Sequence, residues 1–233
     1  MAKSEQKIFL TMDTDWCADE VLQYALDLLC EHDIAFTAFV TDRYAALENC
    51  DPARIEIGLH PNFNEAMPSQ YEAKLHELLA HYPQAQGVSS HAMMSSTPLL
   101  ELFRRCGLRY DRNLLFYKQA QARAFYHYNG LLRLPIFWED DIWFSVEANT
   151  PFTPEPFAEE NFQYVFNFHP IHLYLNTAST EHYAAFKPHY HEPRALRAHR
   201  YEGYGVLSYF MDLLAYLREN RIATGLLKEF LER

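Results

Sequence analysis

The chain has 233 residues, a length that suits one large domain or two small ones. Its 31 acidic residues outnumber its 20 basic residues, giving a formal net charge of -11, and no basic run interrupts this excess. A nucleic-acid partner is therefore excluded, because a nucleic-acid groove needs clustered Lys and Arg. With 49% hydrophobic and 22% charged residues, the composition is that of a globular protein and excludes disorder as the main state. The unusual features are 15% aromatic residues and 12 His.

The sequence carries no signal for a membrane or for export. No apolar stretch approaches the roughly 18 residues that a membrane span needs. The N-terminal residues lack the apolar core of a secretory signal. The cysteines are scattered and form no CxxC pair, which indicates free thiols and neither a zinc ribbon nor a redox motif. We therefore expect a cytoplasmic protein without a membrane span.

Strands and helices are predicted to alternate through the first half of the chain. The predicted strands cover residues 7–12, 34–40, 55–59, 87–91 and 108–111. The predicted helices cover residues 18–31, 44–47, 69–81 and 98–106. Gly107 follows the last of them at the position where helices commonly end. Alternation with short connections predicts an α/β fold with a parallel sheet or barrel.

The second half is less regular. Several prolines fall within residues 112–160, which predicts an irregular insertion there. The following segments are predicted to be a strand at 163–168, a His- and Tyr-rich loop with one short helix at 176–202, an amphipathic helix at 205–219 and a last helix at 226–233. Because no linker or repeat is visible, we expect residues 1–233 to form one domain.

Side chains that can bind metal or move protons follow several of the predicted strands. They are Asp13, Asp15, His60, His91, His169 and His172. In parallel α/β folds the carboxyl ends of the strands meet at one face, where active sites gather. A single His is more often a surface or core residue, but the shared placement of these side chains favours a common site.

The spacing of Asp13 and Asp15 favours a cation between them. In an extended chain, residues two apart point to the same side. Two ionised carboxylates at that distance repel each other unless a cation lies between them or one holds a proton. With one Asp as ligand and the other as base, two His and one Asp make a plausible catalytic zinc set. The alternative is that both carboxylates only cap the helix at 18–31.

Several motifs together resemble those of the NodB-type polysaccharide deacetylases, carbohydrate esterase family four. They are T-M-D-T-D-W at 11–16, I-A-F-T-A-F-V at 34–40, I-G-L-H at 57–60, P-L-L-E-L-F-R-R-C-G-L-R-Y-D at 98–111 and F-N-F-H-P-I-H at 166–172. The resemblance covers most of residues 8–220 and is closest to the WbmS-like branch. It implies an α/β fold of the NodB / glycoside hydrolase-deacetylase type, a distorted (β/α) barrel.

The resemblance also implies an activity and its residues. The family hydrolyses acetyl or other acyl groups on sugars and polysaccharides with a divalent metal, for which zinc is expected here. Matched motif by motif, Asp13 is the catalytic base and His169 the general acid. Asp15 and His60 are then metal ligands.

The motifs depart from the family pattern at three points. Thr14 separates two Asp residues that are normally adjacent, and Asn64 stands where the second motif has its second His. We predict that His91, at the next strand end, is the missing ligand. The Arg that orients the base is absent from residues 89–93. Arg133, in R-L-P-I-F, is predicted to supply that charge.

Other side chains close to these motifs are candidates for binding or orienting a sugar. They are Trp16, Asn62, Arg133, Trp138, Glu139, Asp140 and His172. The indole rings of Trp16, Trp138 and the nearby Trp143 suit stacking on sugar faces, whereas Glu139 and Asp140 fit a solvated acidic loop equally well.

Two other functions are compatible with the sequence. The missing second His suits a carbohydrate-binding pseudoenzyme of the same fold. A glycoside hydrolase could use Asp13 or Asp15 together with Glu139 as its pair of carboxylates. A serine hydrolase is disfavoured because the chain has no GxSxG motif.

Overall fold

The computed structural model describes residues 7–119, 121–154 and 164–232. Within them the strands are β1 (Lys7–Asp13), β2 (Phe36–Val40), β3 (Ile55–Leu59), β4 (Gly87–Val88), β5 (Tyr110–Asp111), β6 (Phe125–Tyr126), β7 (Leu132–Arg133), β8 (Trp138–Glu139), β9 (Tyr164–Phe168) and β10 (Ala223–Thr224). The helices are α1 (Asp19–Glu31), α2 (Tyr71–His81), α3 (Thr97–Arg105), α4 (Asp140–Val146), α5 (Pro170–Leu175), α6 (Thr180–Phe186), α7 (Pro193–Ala198) and α8 (Val206–Glu219). Short 3-10 turns include Ala45–Leu47, His91–Met93, Lys187–His189 and Leu227–Glu232.

One sheet, ordered β6-β7-β5-β4-β3-β2-β1-β9-β8, forms the centre of the molecule, and β10 also pairs with β1. The strands pair in parallel except β6 with β7. The sheet curls until the segment after β5 meets the residues before β8. There the Phe116 amide donates to the Ile136 carbonyl at 2.9 Å, and the Lys118 amide donates to the Phe137 carbonyl at 2.8 Å. The predicted parallel α/β architecture, a distorted barrel, is confirmed.

Alternation along β1 separates the two faces of the sheet. Ile8, Leu10 and Met12 pack in the large apolar cluster that includes the helices. Phe9 belongs to a second, smaller cluster inside the curl. Since successive side chains of a strand point to opposite faces, Asp13 shares the inner face with Phe9. The inner face is therefore apolar near the start of β1 and polar at its carboxyl end.

The amino end of the barrel interior is closed by the last turn of the chain. Leu227 and Phe230 pack into the inner cluster, and the Leu227 amide donates to Thr37 Oγ1 at 3.0 Å. Gly87 leaves room for the Tyr110 ring, since a Cβ at Gly87 would lie 2.0 Å from that ring. This packing leaves the opposite, carboxyl end of the barrel for polar side chains.

Two parts of the second half differ from the predictions. Residues 176–202 hold α6, α7 and a 3-10 turn, so the prediction of a loop with one short helix is wrong. Ser179 caps α6 by accepting the His182 amide, and a proline begins α7, two local signals that outweigh the polar composition. Within the predicted insertion at 112–160, β6, β7, β8 and α4 are integral to the sheet and its helices.

Some predicted segments lie partly outside the described residues. These parts are residues 120 and 155–160 of the insertion, residue 163 of the predicted strand and residue 233 of the last helix. Among the described helices, none is both long and apolar enough to cross a membrane.

Candidate active site

The carboxyl ends of the strands bring five of the predicted side chains together. Asp13 ends β1, His60 follows β3 and His169 follows β9, while Asp15 and His91 lie in the loops after β1 and β4. Backbone hydrogen bonds fix these loops to the sheet. The His60 amide donates to the Val40 carbonyl at 2.7 Å, and the His91 amide donates to the Pro61 carbonyl at 3.0 Å.

Asp15, His60 and His91 converge on one point. Asp15 Oδ1 lies 3.0 Å from His60 Nε2 and 3.1 Å from His91 Nδ1, and the two ring nitrogens are 3.4 Å apart. Burial alone would raise the pKa of Asp15, but hydrogen bonds from both histidines and the positive charge around it hold that pKa well below its ordinary value. An ionised carboxylate and two imidazoles form a donor set that fits a catalytic zinc ion.

Asn64 supports this cluster without joining it. Its side-chain amide donates to the His91 carbonyl at 3.1 Å, and its backbone amide donates to Asn62 Oδ1 at 3.0 Å. In the family pattern the second motif has a His at the position of Asn64. Asn64 therefore does not replace that ligand but contacts the loop that carries His91.

Asp13 is held at both carboxylate oxygens. One guanidinium nitrogen of Arg112 donates to Asp13 Oδ1 and, at 2.8 Å, to Ser89 Oγ, while the other donates to Thr11 Oγ1 at 2.8 Å. The Asn167 side-chain amide donates to Asp13 Oδ2 at 3.0 Å. Arg112 thus compensates the charge of a buried carboxylate and fixes its orientation.

The structure corrects the prediction for Arg133. Its Nε donates to Asp111 Oδ1 at 2.9 Å and its terminal nitrogen to Asp111 Oδ2 at 3.0 Å. Arg133 therefore pairs with Asp111 on β5 and not with Asp13. Arg112 occupies the expected position instead. The sequence does contain a signal for Arg112, because it directly follows the predicted strand at 108–111, just as the other candidates follow theirs.

His169 is paired with Asp140, the first residue of α4. His169 Nδ1 lies 2.7 Å from Asp140 Oδ1, and the His169 amide donates to Asp140 Oδ2 at 2.7 Å. Burial alone would lower the pKa of His169, but the Asp140 carboxylate outweighs it and holds that pKa well above its usual value. The other ring nitrogen, Nε2, faces Asp15 Oδ2 at 3.7 Å. His169 therefore presents Nε2 to the Asp–His–His cluster, and its raised pKa favours the protonated ring.

Three of the other candidates lie in the core. Trp138 and Trp143 are fully buried, and Trp138 stacks on Tyr209 with ring centroids 4.4 Å apart. The prediction that these two rings stack on a sugar is wrong, because they face the helices. His172 is also buried, where its Nδ1 lies 3.0 Å from Thr177 Oγ1, and burial holds its pKa well below the usual value.

A cleft of about 490 Å³ opens beside the cluster. Asp15, Trp16, Asn62 and His91 line it on one side, and the His- and Tyr-rich segment after α5 lines it on the other. Trp16 is 37% exposed and meets the His91 ring edge-on at 5.0 Å. A larger cavity of about 800 Å³ lies around Glu56, at the amino end of β3, and is lined by none of the candidate side chains. Of these two cavities, only the smaller one opens onto the candidate side chains.

Glu139, predicted to bind or orient substrate, is buried inside the barrel. Its Oε1 accepts a hydrogen bond from the Asn167 side-chain amide at 3.3 Å, whereas its Oε2 has no partner among the described residues. Burial and the nearby Asp141 carboxylate raise the pKa of Glu139 well above its ordinary value. Asn167 therefore links a neutral acid at Glu139 to the carboxylate of Asp13.

The substitution Glu139→Gln is expected to stabilise the fold in a pH-dependent way. The pKa of Glu139 is higher in the folded state than in the unfolded state, so the free energy of unfolding of the wild type falls as pH rises between these two values. The fall is at most about 1.4 kcal/mol per pH unit, and it ends once the pH passes the folded-state pKa. Gln has no such proton to lose. Thermal unfolding of metal-free protein should show a gain for E139Q at pH 8 that shrinks towards pH 5. The exposed Glu77→Gln should show no such trend, and a gain independent of pH would contradict this account of Glu139.

Comparison with known proteins agrees with this geometry. The family model described as WbmS-like polysaccharide deacetylase matches residues 10–187. A protein of Bordetella bronchiseptica, named as a putative polysaccharide deacetylase involved in O-antigen biosynthesis, is 32% identical, with 91% of each chain covered and a TM-score of 0.83. No curated protein matches the chain.

Two more distant structures share the fold alone. A family 4 carbohydrate esterase from Bacillus anthracis is 14% identical with a TM-score of 0.52, covering 99% of this chain and 84% of the esterase. A carbohydrate esterase family 4 pseudoenzyme from the same organism is 12% identical with a TM-score of 0.52, covering 97% of this chain and 66% of the pseudoenzyme. The family match over most of the chain and the 32% identity confirm the resemblance of the motifs. The chain belongs to the WbmS-like polysaccharide deacetylases.

Proposed function

We propose that this chain is a metal-dependent hydrolase that removes an acetyl group from a sugar or polysaccharide. The observation that carries the proposal is the convergence of Asp15, His60 and His91, whose donor atoms lie within 4.8 Å of one another, beside a fixed Asp13. The family supports the reaction type, and the open cleft supports a substrate of sugar size.

Asp15, His60 and His91 would hold the metal, for which zinc is the best fit to one carboxylate and two imidazoles. A divalent ion bound there supplies Lewis acidity, which makes water more acidic and polarises a carbonyl oxygen. The His60 and His91 rings come from two different loops. The donor set therefore depends on the packing of those loops as well as on the residue types.

Two residues of the chain then transfer the protons, one as base and one as acid. Asp13, oriented by Arg112, accepts a proton from the attacking water. His169 gives its proton to the leaving nitrogen or oxygen as the bond to the acyl carbon breaks. The products are acetate and the deacetylated sugar, with Trp16 and Asn62 positioned on the cleft wall to contact the sugar.

Two observations weigh on the alternatives. A pseudoenzyme is favoured by Asn64 at the position of the family's second His, but His91 brings a second imidazole to the cluster. A two-carboxylate glycoside hydrolase would need the glycosidic bond between its two acids, yet the Asn167 side-chain amide already bridges Asp13 and Glu139, at 3.0 and 3.3 Å. We therefore retain the pseudoenzyme as the second candidate.

Metal analysis and acetate release test the proposal together. We expect the purified protein, after loading with zinc and desalting, to retain about one metal per chain. It should release acetate from acetylated amino sugars or acetylated polysaccharide, and a chelator should abolish that release until zinc is restored. Metal-free protein that still binds the sugar would establish the pseudoenzyme, and acetate release that survives complete metal removal would contradict the metal-dependent reaction.

A further inference from the structure

The two loops that carry Asp15 and His91 contain consecutive residues in the left-handed backbone region. The φ angles are 43° at Asp15, 57° at Trp16, 53° at Ala92 and 52° at Met93. For residues with a side chain, this conformation costs roughly 1–2 kcal/mol per residue. Such a conformation persists only where the surrounding contacts determine it. The contacts that hold the Asp15–Trp16 turn therefore decide where the Asp15 carboxylate points.

Two hydrogen bonds hold this turn, one within it and one to the residue that follows β2. The Cys17 amide donates to the Thr14 carbonyl at 2.9 Å, and the Trp16 amide donates to Thr41 Oγ1 at 2.9 Å. Thr14 itself is anchored, since its amide donates to the Phe39 carbonyl at 3.0 Å. These hydrogen bonds fix the two sides of the turn but leave the Asp15 carbonyl to another partner.

That partner is Tyr190, which is 175 residues away in sequence. Its hydroxyl donates to the Asp15 carbonyl at 2.7 Å. Tyr190 also lines the cleft, on the wall that faces Trp16.

We propose that Tyr190 is a positioning residue for the metal centre: its hydroxyl holds the strained Asp15 turn in the conformation that aims Asp15 Oδ1 at His60 and His91. The inference rests on the proposed function in one respect, which is that these three residues bind the metal. It adds that the outer wall of the cleft, built by α6 and the residues that follow it up to His191, sets the metal affinity of a site whose ligands all lie elsewhere.

The variant Tyr190→Phe removes only the hydroxyl and keeps the ring that packs in the wall. Tyr183→Phe is the matched control, because Tyr183 lines the same cleft and, within the described part of the chain, makes no hydrogen bond to the Asp15 loop. Zinc affinity of the full chain is measured by competition with a chromogenic chelator. The visible spectrum of the cobalt(II)-loaded protein reports the geometry of the donor set.

We expect Y190F to bind zinc about 3- to 10-fold more weakly than wild type, the size that loss of one hydrogen bond predicts. Its cobalt spectrum should change, while the metal-free protein unfolds at nearly the wild-type temperature. Y183F should match wild type in all three measurements.

The outcomes separate the two proposals. If wild type binds zinc and Y190F binds it equally well, the role of Tyr190 is overturned and the proposed function stands. The same holds if Y190F loses stability without metal but keeps its zinc affinity, since that is a merely structural role. If wild type binds no metal at all, the proposed function falls and the inference falls with it.

Discussion

Replacement of Asp13 by asparagine is expected to lower kcat about 10²- to 10⁴-fold while zinc remains bound, because the variant lacks the group that accepts the proton from water. The proposed metal donors Asp15, His60 and His91 are untouched. The structure predicts a second effect. Both oxygens of Asp13 accept hydrogen bonds, from Arg112 and from Asn167, whereas the NH2 group of an asparagine can only donate. That NH2 group would face one of these two donors, and the positive charge of Arg112 would lose its carboxylate partner. A loss of stability of roughly 3–5 kcal/mol is expected from such a broken buried pair.

The chain offers a matched control in Asp111→Asn. Asp111 is also fully buried and also paired with an arginine, Arg133, but it is not one of the proposed metal donors. This variant should lose stability similarly and keep its kcat per folded molecule. Steady-state kinetics, metal content and thermal unfolding separate the two effects. If D13N retained wild-type kcat, Asp13 would not be the base, and if it lost its zinc, Asp13 would belong to the ligand set.

Removal of His91 is expected to abolish metal retention and, with it, acetate release. In the proposed site His91 provides one of three donors, and substitutions that only disturb the support of such donors already cost about 10- to 100-fold in affinity. We therefore expect His91→Ala to weaken zinc binding by at least about 100-fold. His81→Ala is the control, since that histidine is exposed at the end of α2 and belongs neither to the proposed donors nor to the wall formed by α6 and the turn after it.

Asn64→Ala tests the alternative ligand. In the structure Asn64 donates to the His91 carbonyl, so its removal should weaken zinc binding only mildly, by less than about 10-fold. The opposite result, with zinc retained in H91A and lost in N64A, would show that Asn64 and not His91 is the ligand. Asn64 stands at the position where the family pattern has its histidine.

The long strands and the first helix are predictable because their patterns are strong. β1, β2 and β3 are short apolar runs between polar residues, and the structure places each within two residues of its predicted bounds. The rule that polar residues at strand ends share one face then brings Asp13, Asp15, His60, His91 and His169 together. The roles of these residues remain predictions, whereas their proximity is a feature of the structure.

The later part of the barrel cannot be predicted in the same way. Strands β6 to β8 have two residues each, too few for any periodicity. Without β8, the sequence assigns Trp138 and Glu139 to the same surface because they are adjacent. In a strand they face opposite sides, so Trp138 packs under α8 and Glu139 enters the barrel. Arg112 directly follows the predicted strand at 108–111, but the sequence alone does not show which arginine, Arg112 or Arg133, pairs with Asp13.

The pairing of β1 with β9 joins segments that a ribosome produces far apart in time. Between these two strands the Thr11 hydroxyl donates to the carbonyl of Phe166, which lies 155 residues further along the chain. Such long-range parallel pairing is slow to form because a large loop must close first. In the proposed enzyme the three metal donors all precede residue 92, whereas His169 arrives only with β9. During synthesis, therefore, every donor for the metal is present in the nascent chain long before its acid is made.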